Sequence, residues 1–267
     1  GEPVELEDVW ITYRTGKEED QPGVGKLTAG FGARRVSTED GGKIGPEFTF
    51  GIYTRKLVNK PILIIKTAWG GKSINTDFRP PSAGPYQFNK KQLETFKKQG
   101  KDIAKMKAER NAKVGHYYRM MMDHVRSVLN DPGKVHPGYN AKDGYELGGF
   151  VWFQGWNDMC NRYHTEQYTE NMIHFISDVR KELNTPKMPF VIGVMGIGGI
   201  KKDDNFRKAQ EAPAALPEFK GNVAAVRTGQ YWDMELLRIQ NKLNEAAKKE
   251  LLAKNPKLGG RSLSKAI

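Results

Sequence analysis

Two glycine-bearing loops, each directly downstream of an apolar run, hold the residues of this 267-residue sequence best suited to binding an anion or oxyanion. In Lys66-Thr-Ala-Trp-Gly-Gly-Lys-Ser73, the pair Gly70-Gly71 lets the backbone turn tightly and brings N–H groups to a ligand with no Cβ in the way. If residues 73–77 open a helix, those amides point at the arriving charge; an ordinary strand-to-helix turn is the plainer alternative. In Gln154-Gly-Trp-Asn-Asp158, Asn157 can present its side-chain NH2 to the same point. One backbone N–H and one Asn amide make a sufficient oxyanion hole. Asn157 and Asp158 are equally suited to helix capping or turn formation, and spacing alone does not separate the two uses.

Other constellations carry less. Gly193-Val-Met-Gly-Ile-Gly-Gly199 follows an apolar run, but its order is GxxGxGG rather than the GxGxxG of a dinucleotide loop, and no partner acid follows a later strand. A loop shaping a pocket rim is the better expectation, and no cofactor is implied. His116, His124, His136, His164 and His174 fall in no HExxH or other metal-ligand spacing, so no metal site is expected. A single cysteine, Cys160, excludes an internal disulfide.

The elements that must position these loops are legible as short, nearly continuous apolar runs at 61–66, 149–154, 189–194 and 222–227, the pattern of strands covered on both faces. Helical stretches at 46–58, 89–130 (with a break near Gly115), 164–183, 203–216 and 232–254 alternate with them. That alternation predicts an α/β fold with a parallel sheet, whose ligands sit beyond the carboxyl ends of the strands. Residues 15–45 and 78–88, rich in turn formers, read as long site-shaping loops.

Length and composition fit one domain over residues 1–267, with 232–267 as its basic helical end. No apolar run approaches the roughly 18–20 residues of a membrane span, and residues 1–6 lack the basic start and apolar stretch of a signal peptide. The net charge of +12 is partly concentrated between Lys90 and Lys113, where nine Lys/Arg face Glu94, Asp102 and Glu109. These charges surround a helical stretch without interleaved aromatics. They read as a solvated face, with attraction to an anionic glycan or cell surface as the alternative, and nucleic acid is not an expected partner.

The strings 66–73 and 149–158 resemble those of the SGNH (GDSL-type) hydrolase superfamily, and within it the sialate O-acetylesterase-like carbohydrate esterases. Ile44-Gly-Pro-Glu-Phe48, Phe78-Arg-Pro-Pro-Ser82 and Lys187-Met-Pro-Phe-Val-Ile-Gly-Val-Met-Gly196 add to the resemblance, which covers residues 8–235. It implies a three-layer α/β/α sandwich with a flavodoxin-like parallel sheet, an acetylated carbohydrate as substrate, and a secreted or periplasmic location. Carried onto this sequence, Gly70 is the amide donor of the second family block, with Gly71 beside it, and Asn157 is the donor of the third. Trp69, Gln154, Trp156 and Asp158, in these loops, are the candidate substrate contacts, with Tyr163 as a further stacking aromatic; core packing is the competing use of the aromatics.

The family's nucleophile and base have no match. No Gly-x-Ser-Asn, Gly-Asp-Ser or Gly-Gln-Ser string occurs, no Asp-x-x-His string occurs, and Ser73 stands in the wrong block. The expectation is a chain truncated at both ends. It would lack the serine-bearing first strand, be silent as it stands and be poorly stable alone. A non-catalytic glycan-binding module on the same fold is the alternative.

Overall fold

The computed structural model describes residues 5–16, 22–32, 44–200 and 204–256. Ser37, Ser262, Ser264, much of the expected 15–45 loop and residues 257–267 lie outside the described residues. The chain forms two compact units, one of residues 1–149 and 155–189, the other of 150–154 and 190–267.

In the first unit β1 (Leu6–Arg14) is central, antiparallel to β2 (Gly23–Leu27) and parallel to β3 (Ile62–Thr67). The sequence reading recovered only β3 of these. The β-branched and aromatic core of β1, Val9-Trp-Ile-Thr-Tyr13, is preceded by Glu7 and Asp8, which break the continuous apolar pattern. β2, with two glycines in five residues, falls inside the stretch expected to be loop, and its antiparallel pairing departs from an all-parallel sheet. Val9, Ile11, Tyr13, Leu27 and Phe31 form a buried cluster. Helix α1 (Pro46–Val58) lies close above it through Gly51, where an added Cβ would stand 2.1 Å from Leu27 Cδ2.

The expected 89–130 helix is three. α2 (Lys90–Lys98) opens on an Asn89/Gln92 capping box, and α3 (Ile103–Lys113) is capped by Asp102. Between them Gly100 adopts φ +63°, a left-handed conformation that ends α2. α4 (His116–Asn130) begins at Gly115, also left-handed, where a Cβ would meet Arg79 O at 2.8 Å. The short α5 (Trp156–Met159) leads into the long α6 (Arg162–Glu182), which starts where Asn161 accepts from the amides of Tyr163 and His164.

The second unit holds a parallel sheet of β4 (Phe150–Trp152), β5 (Phe190–Val194) and β6 (Val223–Arg227), with β5 central. All three strands were expected. The glycine-rich loop after β5 is a packing device: a Cβ at Gly196 would fall 2.6 Å from Thr228 and Gly229, while Arg207 of α7 (Asn205–Glu211) donates to Met195 O and Ile197 O. Buried Gln210 ties Met195 N to Gln154 O. α8 (Met234–Lys254) has no buried residue. Among the described residues no helix is long and apolar enough to cross a membrane.

His124 on α4 is buried against β1, its Nε2 3.2 Å from Thr12 Oγ1. Burial, helped by the positive field of Arg14, pushes its pKa from 6.5 down to about 4. The folded state therefore holds His124 neutral where the unfolded chain would protonate it. Its contribution to stability is full above pH 6.5 and is lost as pH falls towards 4. Urea unfolding at pH 4.5 and 7 should show a drop of about 2 kcal/mol assignable to this residue, absent in His124→Asn. Equal pH dependence in both proteins would refute the assignment.

Candidate active site

The loop that follows β3 turns at Gly70 and Gly71. Gly71 has φ +73°, which a side chain would strain, although a Cβ there would meet nothing closer than Asn157 Nδ2 at 4.0 Å. Residues 73–77 then form turns, closed by Phe78 N–H to Ser73 O at 2.9 Å, and no helix begins there. The amides that a helix start would have offered to a ligand are instead bound within the protein. Ser73 N–H donates to Asp77 Oδ2 (3.1 Å), Ile74 N–H to Asp158 Oδ2 (3.1 Å) and Asn75 N–H to Asp158 Oδ1 (3.3 Å).

Asp158 and Asn157 are neighbours on the single turn of α5 and point different ways. Asp158 is fully buried, and its Oδ1 also accepts from Ser73 Oγ at 2.6 Å. A carboxylate taking two backbone amides and a hydroxyl is well compensated for burial. This gives Asp158 a task other than the expected substrate contact. Asn157 is half-buried and donates from Nδ2 to Gly71 O at 2.5 Å. Asn157 and the glycine pair thus stand side by side. The N–H groups of Gly70 and Gly71 make no hydrogen bond among the described residues, and both glycines are exposed.

α6 supports this loop through a stripe of polar residues at three- and four-residue spacing, the period of one helix face. His164 Nδ1 lies 3.4 Å from Ser73 Oγ, Gln167 Oε1 accepts from Asn75 Nδ2 at 2.8 Å, and Asn171 Oδ1 accepts from Arg79 Nη1 at 2.9 Å. Further along, His174 Nδ1 is 2.8 Å from Ser82 Oγ, and Asp178 accepts from Ser82 N–H at 2.8 Å. Arg79 also donates to the carbonyls of Ala83 and Gly84, which closes the 78–88 loop on itself. The adjoining face of α6 buries Tyr168, Met172, Phe175 and Val179. Nothing in the loop motifs singled out this stripe; its signal was a regular polar row beside an apolar one on α6.

Burial lowers the His164 pKa; Asp158 opposes that shift and Arg110 adds to it. The Ser73 hydroxyl is fully engaged, donating to Asp158 and accepting from Asn75 N–H at 3.0 Å. It is 3% exposed. Ser73, His164 and Asp158 therefore form a brace in which the hydroxyl is committed within the protein. Ser82 and His174 lie nearer the surface, but the Ser82 amide is committed to Asp178 and that of Ala83 to Pro80 O, so neither of these amides is open to an oxyanion.

The expected aromatics differ in availability. Trp69 donates from Nε1 to Gly16 O and packs edge-on to Tyr117 at 5.1 Å. Tyr163 is fixed by its hydroxyl to Gln87 O. Trp156 is 52% exposed. Gln154 belongs to the second unit, where its carbonyl is held by Gln210.

A family model for carbohydrate esterase, sialic acid-specific acetylesterase, matches residues 32–251. The chain belongs to that family. A probable carbohydrate esterase of Arabidopsis thaliana is 33% identical over 71 residues, 27% of this chain and 27% of that protein, so the match spans about a quarter of the relative. The crystal structure of a protein from Arabidopsis thaliana superposes with TM-score 0.48 at 18% identity, covering 81% of this chain and 67% of the other. A carbohydrate acetylesterase from Xanthomonas citri gives 0.46 at 17%, covering 82% and 42%.

Removing the brace should cost stability in a graded way. Asp158→Ala strands several buried donors and should destabilise by about 3 kcal/mol, and Ser73→Ala by about 1–2 kcal/mol. The double mutant should fall short of the sum by on the order of 1 kcal/mol or more. Urea midpoints with unchanged slopes measure this; strict additivity would show that the two side chains act independently.

Proposed function

We propose that this chain supplies the carbonyl-binding half of a serine carbohydrate O-acetylesterase. The oxyanion donors are the Gly70 and Gly71 amides and Asn157 Nδ2. One observation supports the reading above others. Of the amides in this loop, those of Ser73, Ile74 and Asn75 are held by carboxylates, whereas those of Gly70 and Gly71 are exposed and uncommitted beside Asn157. An Asn amide carries two hydrogens, and Gly71 O uses one.

In the reaction, a serine oxygen attacks the acetyl carbonyl while a histidine takes its proton, and negative charge develops on the carbonyl oxygen. The donors bind that charge more tightly in the transition state than the neutral carbonyl before it, which lowers the barrier. Collapse of the tetrahedral species expels the sugar hydroxyl, and water then releases acetate. Neither the nucleophile nor the base is assigned to a residue of this chain. Ser73 is buried in its brace, and the amides of Ser82 and Ala83 are both committed within the protein.

Two measurements test the reading. The active polypeptide containing these residues should release acetate from O-acetylated sugars, and Asn157→Ala in it should lower kcat by about 10²–10³ with KM little changed. Unaltered kcat would remove Asn157 from the hole. The 267-residue chain alone should take no label from a serine-directed fluorophosphonate; a labelled Ser73 or Ser82 peptide would place the nucleophile inside it.

A further inference from the structure

Half of the chain's net charge sits on one hairpin of the first unit. Residues 90–113 carry nine Lys/Arg against Glu94, Asp102 and Glu109, a net +6 of the total +12. α2 and α3 contain no buried residue, and all nine basic side chains are exposed. None of the nine is held in an ion pair among the described residues, and Asp102 is occupied by capping Lys105 N–H. α3 alone is about 16 Å long. Neighbouring charges on it therefore lie within a Debye length of roughly 8–10 Å and repel one another unless a counter-charge is present.

The hairpin is also fastened to the candidate site. Tyr86 N–H donates to Asn111 Oδ1 of α3 at 2.7 Å, and the Arg110 guanidinium lies 5.5 Å from the centre of the Tyr86 ring. The same ring meets Tyr163 and His164 edge-on, each at 6.3 Å. His164 in turn abuts Ser73 and Asp158 beneath the glycine loop. A run of positive charge thus continues, through one tyrosine, to the wall of the site.

We infer that the α2–α3 hairpin is a docking surface for an anionic polysaccharide, whose acidic backbone lies along the exposed lysines and presents its acyl groups to the site. The choice of polymer rests on the carbohydrate-esterase reading. The hairpin itself favours a carboxylated or sulfated glycan over a nucleic acid. Its one aromatic, Phe96, is half-buried against Phe88 at 5.1 Å, so no exposed ring is available to stack on bases.

Binding is read without hydrolysis, so its outcome is separate from that of the esterase assay. In affinity electrophoresis at low salt, the chain should be retarded by polygalacturonate and by chondroitin sulfate. Neutral xylan should leave its migration unchanged, and retardation should fall steeply as salt rises. The triple variant Lys97→Glu/Lys101→Glu/Lys105→Glu should lose affinity at least about tenfold, with its circular dichroism unchanged. The matching glutamine variant guards against a folding defect. A control variant, Lys248→Glu/Lys249→Glu/Lys254→Glu, makes the same charge change on the exposed helix α8 and should bind within about twofold of the parent. Equal losses in the two glutamate variants would reduce the effect to overall charge and overturn the inference. So would tighter binding to duplex DNA than to polygalacturonate, or no binding to either polyanion.

Discussion

The buried carboxylate of Asp158 is the constraint around which the site is arranged. A charged group with no solvent contact persists only where fixed donors replace its hydration. Here the donors are the Ser73 hydroxyl and the amides of Ile74 and Asn75, all from the loop after β3. Satisfying the charge therefore fixes the loop. Because Asn157 precedes Asp158 on the same helical turn, anchoring one also aims the other at Gly71 O. The acid is a positioning group, and it fixes the direction of the amide beside it.

α6 extends that logic along the loop. An amphipathic helix ordinarily spends its polar face on water, but here His164, Gln167, Asn171, His174 and Asp178 each face a partner in residues 73–82. A connection with little apolar surface of its own is thereby held by side-chain hydrogen bonds to a rigid element. The tight bend at the glycine pair is then a local feature of an otherwise fixed segment. Oxyanion stabilisation needs that arrangement, since donors that must reorganise when charge develops contribute less than donors already in place.

Much of this was legible in the sequence, and the rest was hidden for identifiable reasons. β3, β4, β5 and β6 announced themselves as continuous apolar runs, and α1 by Pro46 at its start and an apolar stretch behind it. β1 escaped because its acidic first turn of sequence masks the apolar core behind it, and β2 because two glycines carry no pattern. The break between α2 and α3 needed the left-handed Gly100, which a lysine-rich stretch does not advertise. Gly70, Gly71 and Asn157 could be proposed from residue type and from family resemblance. That Asp158 turns inward could not, because burial of an acid depends on donors 83 to 85 residues away in the chain.

The same comparison explains why the amides of this loop divide into two sets. An Asp or Asn in a turn normally captures the nearest N–H groups, and Asp77 does so with Ser73. Asp158 captures the next two from a distance. Each capture removes a competing anion site from the loop, while the Gly70 and Gly71 amides make no hydrogen bond among the described residues. On the proposed reading, selectivity for one binding position arises as much from occupying the other amides as from exposing these two. A loop of equal glycine content without the two carboxylates would offer an anion several weaker positions in place of the one proposed at Gly70, Gly71 and Asn157.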